Sequence, residues 1–347
     1  MSDTPPDLRL ADRRRADVAW ALTLLGLLGL TAPAVALAGL GVFGATVVGG
    51  LPLVGAVLLA VTIGIALGVR YEWWFLRGAL EWPRTQLVDI GRITAAIVGG
   101  TITTFGLAVE LGLSPIVAAG AVGVVAAIAT PDDAVPVYCG AFVGMTSPVL
   151  FGTYWVGIVA GLCASAVYLI AQPVFHGIGG KLGTTAFVGV VITVVATAGS
   201  FEGGPLPAIE TAGLAIGYGV VGAALTFAIH HRTAASPVFA SGIVGVVGGL
   251  GIPVIHDGAW ILAAVVFSAS FVGMSADRRI PDERWVALAG AIAGLLVVYT
   301  TPYLGGSGGK LGTIAFASAL AVHGLLVTAH VVRLRRRVRE FPIRDTT

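Results

Sequence analysis

Long apolar stretches alternate along this chain with short clusters of charged residues. The clusters fall at residues 13–15, 70–84, 232, 277–284 and 333–339. Apolar stretches of about 20 residues between polar boundaries are typical of helices that cross a lipid bilayer. The pattern therefore predicts an all-α, multi-pass membrane protein.

Residues 18–68 form an apolar stretch long enough for two spanning helices, with a break between Gly39 and Pro52. Residues 70–84 then combine arginines with Trp and Tyr. Amphipathic rings and cations both favour the headgroup level of a bilayer. We interpret this segment as an interfacial connector, and a specific binding site there is the less favoured alternative.

The rest of the chain contains an internal repeat. The segment Gly-Gly-Lys-Leu-Gly-Thr-Thr-Ala-Phe at 179–187 returns at 308–316 with one change in nine positions. Phe-Val-Gly-Met at 142–145 returns at 271–274 with the same spacing. Further upstream, Ser-Pro at 114–115 returns at 236–237. Duplicated units in membrane chains commonly build a transport pathway at the interface between the two halves.

The repeat divides the chain into four regions. Residues 1–88 hold an N-terminal tail, two spans and the connector, residues 89–200 form repeat 1, residues 201–333 form repeat 2, and residues 334–347 form a basic tail. Each repeat parses into five helices, so that the chain is expected to have about 12 transmembrane helices. The predicted helices are 89–110, 114–129, 134–149, 153–172 and 181–198, then 209–230, 236–252, 258–275, 284–300 and 311–332.

An odd number of spans inserts the second repeat upside down relative to the first. In that topology nearly all arginines, including those of residues 333–337, lie on one side of the membrane. This bias follows the positive-inside rule, which places both termini in the cytoplasm of a cell-membrane protein. The competing topology makes each Gly-Gly-Lys segment re-entrant and leaves four spans in each repeat.

Composition supports the membrane class. Hydrophobic residues make up 56% of the 347 residues and charged residues only 11%, whereas soluble proteins carry roughly 25% charged residues. The lipid bilayer is therefore the expected partner. The net charge of +2 comes from tails and loops, so no nucleic-acid partner is indicated. Cys139 and Cys163 lie in apolar segments, which argues against a disulfide framework.

The first candidate site is the repeated Gly-Gly-Lys segment. Glycines before a helix leave backbone N–H groups approachable, the helix N-terminus carries partial positive charge, and each lysine adds a full charge. The predicted substrate-binding residues here are Gly179, Gly180, Lys181, Gly183, Thr184, Gly308, Gly309, Lys310, Gly312 and Thr313. The alternative is a glycine-rich turn whose lysine extends toward the headgroups.

The second candidate site is the matched pair Gly144 with Thr146 and Gly273 with Ser275. A glycine next to a hydroxyl residue allows close helix approach and a hydrogen bond between helices, so plain packing is the favoured explanation. The alternative, which places these four residues among the substrate-binding set, is a discontinuous helix that lines a pathway.

Other chemistry finds little support in the sequence. Residues 305–310 superficially resemble a phosphate-binding loop, but Leu311 stands where Ser or Thr should bind Mg²⁺, so nucleotide binding is rejected. His323 and His330 lie seven positions apart without a third ligand, so we expect neither a metal nor a cofactor. No serine-hydrolase, zinc-protease or Cys-x-x-Cys motif appears.

These features favour a permease or channel for a small solute, an anion among the candidates, with a pathway between two inverted repeats. No enzymatic activity is expected. The main alternative is a membrane-embedded enzyme that acts on lipid or isoprenoid substrates, which would need acidic or histidine residues converging at one face. A non-transporting membrane subunit is the third hypothesis. The sequence leaves a homo-oligomer open.

Overall fold

The computed structural model describes residues 6–79, 87–256 and 259–340, with side chains from 17 to 334. The described chain is helical throughout, apart from loops and one isolated two-residue bridge between Glu202 and Gly305. Within these described ranges, six helices are long and apolar enough to cross a membrane. The all-α fold and the membrane-embedded character predicted from the sequence are therefore confirmed.

The chain begins with two long helices. Helix α1 (Pro6–Phe43) continues as a π-helical turn (Gly44–Val48), and α2 covers Pro52–Ala79. The break between them falls inside the predicted window. Residues 70–79, the described part of the predicted connector, continue α2 as its last turns. The remainder of the predicted connector, with Trp82 and Arg84, lies outside the described residues.

Eleven helices of the described chain fall in the region of the two predicted repeats, where ten were predicted, and the additional one is the single turn α6. Repeat 1 has α3 (Leu87–Val109), α4 (Pro115–Ala129), α5 (Ala134–Gly144), a short α6 (Pro148–Phe151), α7 (Tyr154–Ile170) and α8 (Lys181–Ala196). Repeat 2 has α9 (Ile209–Arg232), α10 (Pro237–Ile255), α11 (Trp260–Gly273), α12 (Glu283–Tyr299) and α13 (Lys310–Glu340).

The two Ser-Pro pairs open α4 and α10 as predicted. The Ser114 hydroxyl accepts a hydrogen bond from Val117 N (3.3 Å), and the Ser236 hydroxyl accepts one from Phe239 N (3.2 Å). Each serine satisfies an N–H that the helix leaves free, and the proline follows at the first helical position, where no donor is required.

Helix α5 is shorter than the predicted 134–149. It ends at Gly144, and Ser147 then caps the single turn of α6. An 11-residue helix extends only about 16 Å at about 1.5 Å per residue, roughly half of a hydrocarbon core about 30 Å thick. Its counterpart α11 also ends early, at Gly273.

Helix packing inside repeat 1 recurs inside repeat 2. Helix α3 packs on α5 and α7, as α9 packs on α11 and α12, and α7 packs on α8 as α12 packs on α13. Between the repeats, α4 packs against α10 and α8 against α13. Glycines set both contacts: a Cβ on Gly183 would lie 2.5 Å from the Cα of Gly312, and the reverse distance is the same. Small residues thus allow the helices to approach closely.

The two leading helices pack on one flank of this pair of repeats. Helix α2 lies along α13, and α1 contacts α13 and α8. A Cβ on Gly324 would lie 2.3 Å from Gly64 O, so that α2 and α13 are in backbone contact there. Helix α2 also reaches the loop that precedes α8, where the Glu72 carboxylate accepts a hydrogen bond from Phe175 N.

Candidate functional site

Two loops of equal length precede α8 and α13. We call residues 171–180 loop A and residues 300–309 loop B. Both loops adopt a left-handed backbone at the same three places, one of them a bulky residue for which that conformation is rare. The matched φ values are 54° and 52° at Phe175 and Leu304, 77° and 72° at Gly177 and Gly306, and 82° and 80° at Gly180 and Gly309.

Each lysine folds back onto its own loop. Lys181 Nζ donates to Val174 O (2.6 Å) and Gln172 O (3.3 Å). Lys310 Nζ donates to Tyr303 O (2.5 Å) and Thr300 O (2.8 Å). Two of the three ammonium N–H groups thus satisfy carbonyls that follow the end of the preceding helix. At most one donor of each lysine is left for a bound molecule.

Each loop docks on the opposite repeat through a hydroxyl. Gly308 N donates to Thr146 Oγ1 (3.1 Å), and Gly179 N donates to Ser275 Oγ (3.0 Å). These hydroxyls come directly after α5 and α11. The predicted residues Thr146 and Ser275 therefore hold the glycine loops in place across the interface between the repeats.

A cavity lies beside each loop. Cavity A, next to loop A, has a volume of about 380 Å³, and cavity B, next to loop B, has about 370 Å³. The predicted residues that line them are Gly179, Gly180 and Lys181 in cavity A and Gly308, Gly309, Lys310 and Gly312 in cavity B. Phe142 and Phe271 line both cavities, so these two rings lie between them.

The two phenylalanines belong to a cluster of four rings from α5 and α11. The Phe142 and Phe271 centroids are 4.7 Å apart. Tyr138 lies 4.3 Å from Phe142, and Phe267 lies 4.6 Å from Phe271. We call these four residues the aromatic cluster. In the sequence, Phe142 and Phe271 stand out only as part of the repeat, and their position at the cavities is not visible because one apolar ring resembles any other core residue.

The other predicted site residues serve packing. The Thr184 and Thr313 hydroxyls donate to the carbonyls of Gly180 and Gly309, both at 3.2 Å, and Gly183 faces Gly312 at the contact between α8 and α13. A Cβ on Gly144 would lie 2.4 Å from Thr101 O, and one on Gly273 would lie 2.5 Å from Ala223 O. Gly144 and Gly273 therefore pack against α3 and α9, as the favoured explanation held.

The charges around the two cavities differ. His176 lines cavity A, and the exposed Arg278 guanidinium lies 3.4 Å from where a Cβ on Gly177 would be. In loop B, Glu202 and Gly305 exchange two backbone hydrogen bonds (2.8 and 3.1 Å). A Cβ on Gly306 would lie 2.9 Å from the Glu202 carboxylate. The surroundings of loop A are basic and those of loop B acidic.

A buried ion pair anchors loop A. Glu72 of α2 is 1% exposed and Arg279 is 8% exposed, and their side chains lie 2.8 Å apart. The carboxylate accepts from Phe175 N (2.6 Å), while Arg279 Nε donates to His176 O (2.7 Å) and Arg279 Nη1 lies 3.2 Å from His323 Nε2. The sequence placed Glu72 in a connector and Arg279 in an exposed loop. No local pattern joins residues so far apart in the chain.

Metal chemistry has no visible basis in the part of the chain that the structure describes. That part contains no group of three His, Cys, Asp or Glu side chains that could hold a metal ion. Cys139 and Cys163 are both free thiols.

Comparisons with protein-family models, with curated proteins and with solved structures found no match to this chain. Function is therefore inferred from the loops and cavities themselves.

Proposed function

We propose that the chain is an integral membrane permease or channel that moves a small solute between its two repeats. One observation carries this proposal: two cavities of similar size flank a shared pair of rings, and each holds one copy of the repeated Gly-Gly-Lys segment. A pathway built at the interface of two repeats is the usual plan of secondary transporters.

The proposed topology has 12 spans, with the second five-helix repeat inverted and both termini in the cytoplasm. Reciprocal contacts support a two-fold relation between the repeats. A Cβ on Gly120 would lie 2.9 Å from Gly242 O, and one on Gly242 would lie 2.9 Å from Gly120 O. Inversion would place cavities A and B toward opposite faces of the membrane.

The chemistry of the cavities favours a solute that carries a carboxylate or carbonyl. Lys181 and Lys310 each stand at the first position of a helix, where the helix dipole adds partial positive charge. Each ammonium retains at most one free donor, so the lysine contributes charge more than a network of hydrogen bonds. No nucleotide-binding motif is present, which argues against ATP-driven transport by this chain alone.

Solute flux in proteoliposomes tests the proposal. A panel of small carboxylates and neutral carbonyl compounds is assayed with wild-type protein and with Lys181→Met, Lys310→Met and the double variant. We expect the double variant to lose at least about tenfold in flux, equivalent to about 1.4 kcal/mol, when flux is normalised to inserted protein. Arginine should substitute poorly, because its planar fork does not fit a tight turn made for a compact ammonium.

The matched control is Thr185→Val, which removes a polar group, a hydroxyl, from the wall of cavity A but leaves the charge of the cavity unchanged. It should keep most of the flux. Normal flux in the double Lys→Met variant, for any solute that the wild type carries, would overturn the assignment of the lysines. Absence of flux for the whole panel with wild-type protein would count against transport of this solute class.

A further inference from the structure

We propose that Phe142 and Phe271 form the gate between the two cavities and determine which solutes pass. This inference rests on the proposed transport function and adds the residues that close the pathway. Both rings are only 2% exposed, although each lines a cavity on either side. The aromatic cluster therefore separates the two cavities and closes the proposed pathway in this structure.

The outer pair of the cluster is held rigidly. The Tyr138 and Phe267 rings each fill a space left by a glycine, because a Cβ on Gly123 or Gly245 would lie 2.5 or 2.4 Å from the ring. The Tyr138 hydroxyl is 3.0 Å from Ser241 Oγ, which in turn lies 2.8 Å from Ser270 Oγ, and Ser270 donates to Phe267 O (2.7 Å). Tyr138 and Phe267 thus form a fixed frame.

Phe142 and Phe271, by contrast, have open volume beside them. Both cavities border both rings, and in this proposal each ring turns into one of these cavities while the backbone stays in place. Rotation of one side chain opens a passage more readily than movement of a close-packed helix, because packed interiors resist deformation. The two rings are therefore the movable part of the barrier.

The gate also predicts selectivity. Aromatic rings offer no hydrogen bonds to replace a hydration shell, and moving a bare ion into an apolar environment is very unfavourable. Hydrated inorganic cations should be excluded. A small planar solute with a carbonyl or carboxylate can pass between the rings, because its oxygens can approach their electropositive edges and the lysines attract it from both sides.

Thiol labelling tests the gate without any known solute. In a background with Cys139→Ala and Cys163→Ala, Gln172→Cys reports on cavity A and Thr301→Cys on cavity B. A membrane-impermeant reagent is added to one side of sealed vesicles of known orientation. With the native rings, each reporter should react from one side only. With Phe142→Ala and Phe271→Ala combined, labelling from the protected side should accelerate at least about tenfold, since no closed barrier then has to open.

The matched control removes two rings elsewhere. Phe105 and Phe151 are 5.5 Å apart and buried, and neither lines cavity A or cavity B. Phe105→Ala with Phe151→Ala should destabilise the protein comparably and leave the sidedness of labelling unchanged. If the double Phe→Ala gate variant does not insert, Phe142→Leu with Phe271→Leu should still give two-sided labelling at a smaller acceleration.

Failure of the gate and failure of transport give different results. One-sided labelling in an inserted gate variant would overturn the gate, even if wild-type flux is normal. Two-sided labelling in the control variant would overturn it too, because loss of packing would then explain the leak. Two-sided labelling confined to the gate variant supports the barrier. In that case, absence of flux for every solute tested would count against the transport proposal alone.

Discussion

Loops A and B have the same backbone but different surroundings. Their left-handed residues and hydroxyl partners correspond one to one, and each lysine donates to the carbonyl seven positions before it, while the second carbonyl of each lysine differs by one position. Loop A is also fixed from outside by the ion pair between Glu72 and Arg279, whereas loop B is fixed by the backbone bridge to Glu202. The repeated sequence thus specifies how a loop folds, and the unrepeated segments specify what holds it.

The difference has a physical consequence. A buried ion pair adds little net stability over apolar packing, but losing one partner leaves an unpaired buried charge. Loop A is therefore sensitive to a single substitution far from it in sequence. Loop B depends on two backbone hydrogen bonds, which a side-chain substitution leaves in place. We expect the two loops to respond very differently to changes outside the repeat.

The largest expected effect comes from breaking the ion pair. Arg279→Met leaves the Glu72 carboxylate buried without its partner and should lower the free energy of unfolding by about 3–5 kcal/mol. Denaturant titration in detergent measures this loss. Replacing both partners, Glu72→Leu with Arg279→Met, should be less damaging than the single change.

The control is the exposed pair of Arg284 with Asp282, 3.1 Å apart. Arg284→Met should change stability by at most about 1 kcal/mol, because solvent screens exposed pairs. Similar losses in the two arginine variants would show that the buried pair does not anchor loop A.

The next effect should be equal in the two loops. Gly180 and Gly309 have φ near +80°, and a Cβ on either would lie 2.3 Å from a backbone atom of the opposite repeat. Substitution of either glycine by alanine should lower the free energy of unfolding by about 1–2 kcal/mol because of the left-handed conformation, and by about 1–3 kcal/mol more because of overpacking. Gly152→Ala is the control, with φ of 62° and open space around the new Cβ. Unequal losses at Gly180 and Gly309 would contradict the equivalence of the loops.

A smaller, again matched, effect should follow from removing the hydroxyls. Thr146→Val and Ser275→Ala each leave one buried glycine N–H of the opposite repeat without its acceptor, which is unfavourable by about 1–3 kcal/mol. Hydrogen exchange can follow the amides of Gly308 and Gly179 individually. Each variant should accelerate exchange only in the loop that it contacts. If either variant shows faster exchange at both Gly179 and Gly308, the hydroxyls act on global stability and not on one loop each.

The repeat made most helix positions predictable from one sequence. The charged segment 276–284 showed where α11 and α12 separate, and the aligned apolar stretch in repeat 1 therefore had to break as well. The predicted end of α5 at residue 149 was too late, although Ser147-Pro148 is the same cap signal as the two Ser-Pro pairs that open α4 and α10. The helix ends where Thr146 and Ser147 bind loop B. That contact is tertiary, and the sequence does not display it.

The sequence singled out the two glycine–lysine segments but not the contacts that their side chains make. Repetition pointed to both glycine–lysine segments, and these border the two cavities. The hydrogen bonds of Lys181 and Lys310 to their own loops were not foreseen, because they depend on a backbone conformation that the sequence does not display. Glu72 gave no signal either, since its partner Arg279 comes from another part of the chain.

The smallest expected effect concerns two charges near the loops, the exposed Arg278 and the partly buried Glu202. Arg278 lies beside loop A and Glu202 beside loop B, so their removal should act in opposite directions on an anionic solute. At low salt, Arg278→Gln should slow entry from the side of cavity A by about two- to fivefold, and Glu202→Gln should speed entry from the side of cavity B by a similar factor. Initial uptake rates at low and at about 1 M salt measure both effects. The Arg278 effect should vanish at high salt because the Debye length falls to about 3 Å, whereas the partly buried Glu202 carboxylate is screened less. Changes of the same sign in the two variants, or an Arg278→Gln change that persists at high salt, would show that these charges act through structure and not through the electrostatic potential at the cavities.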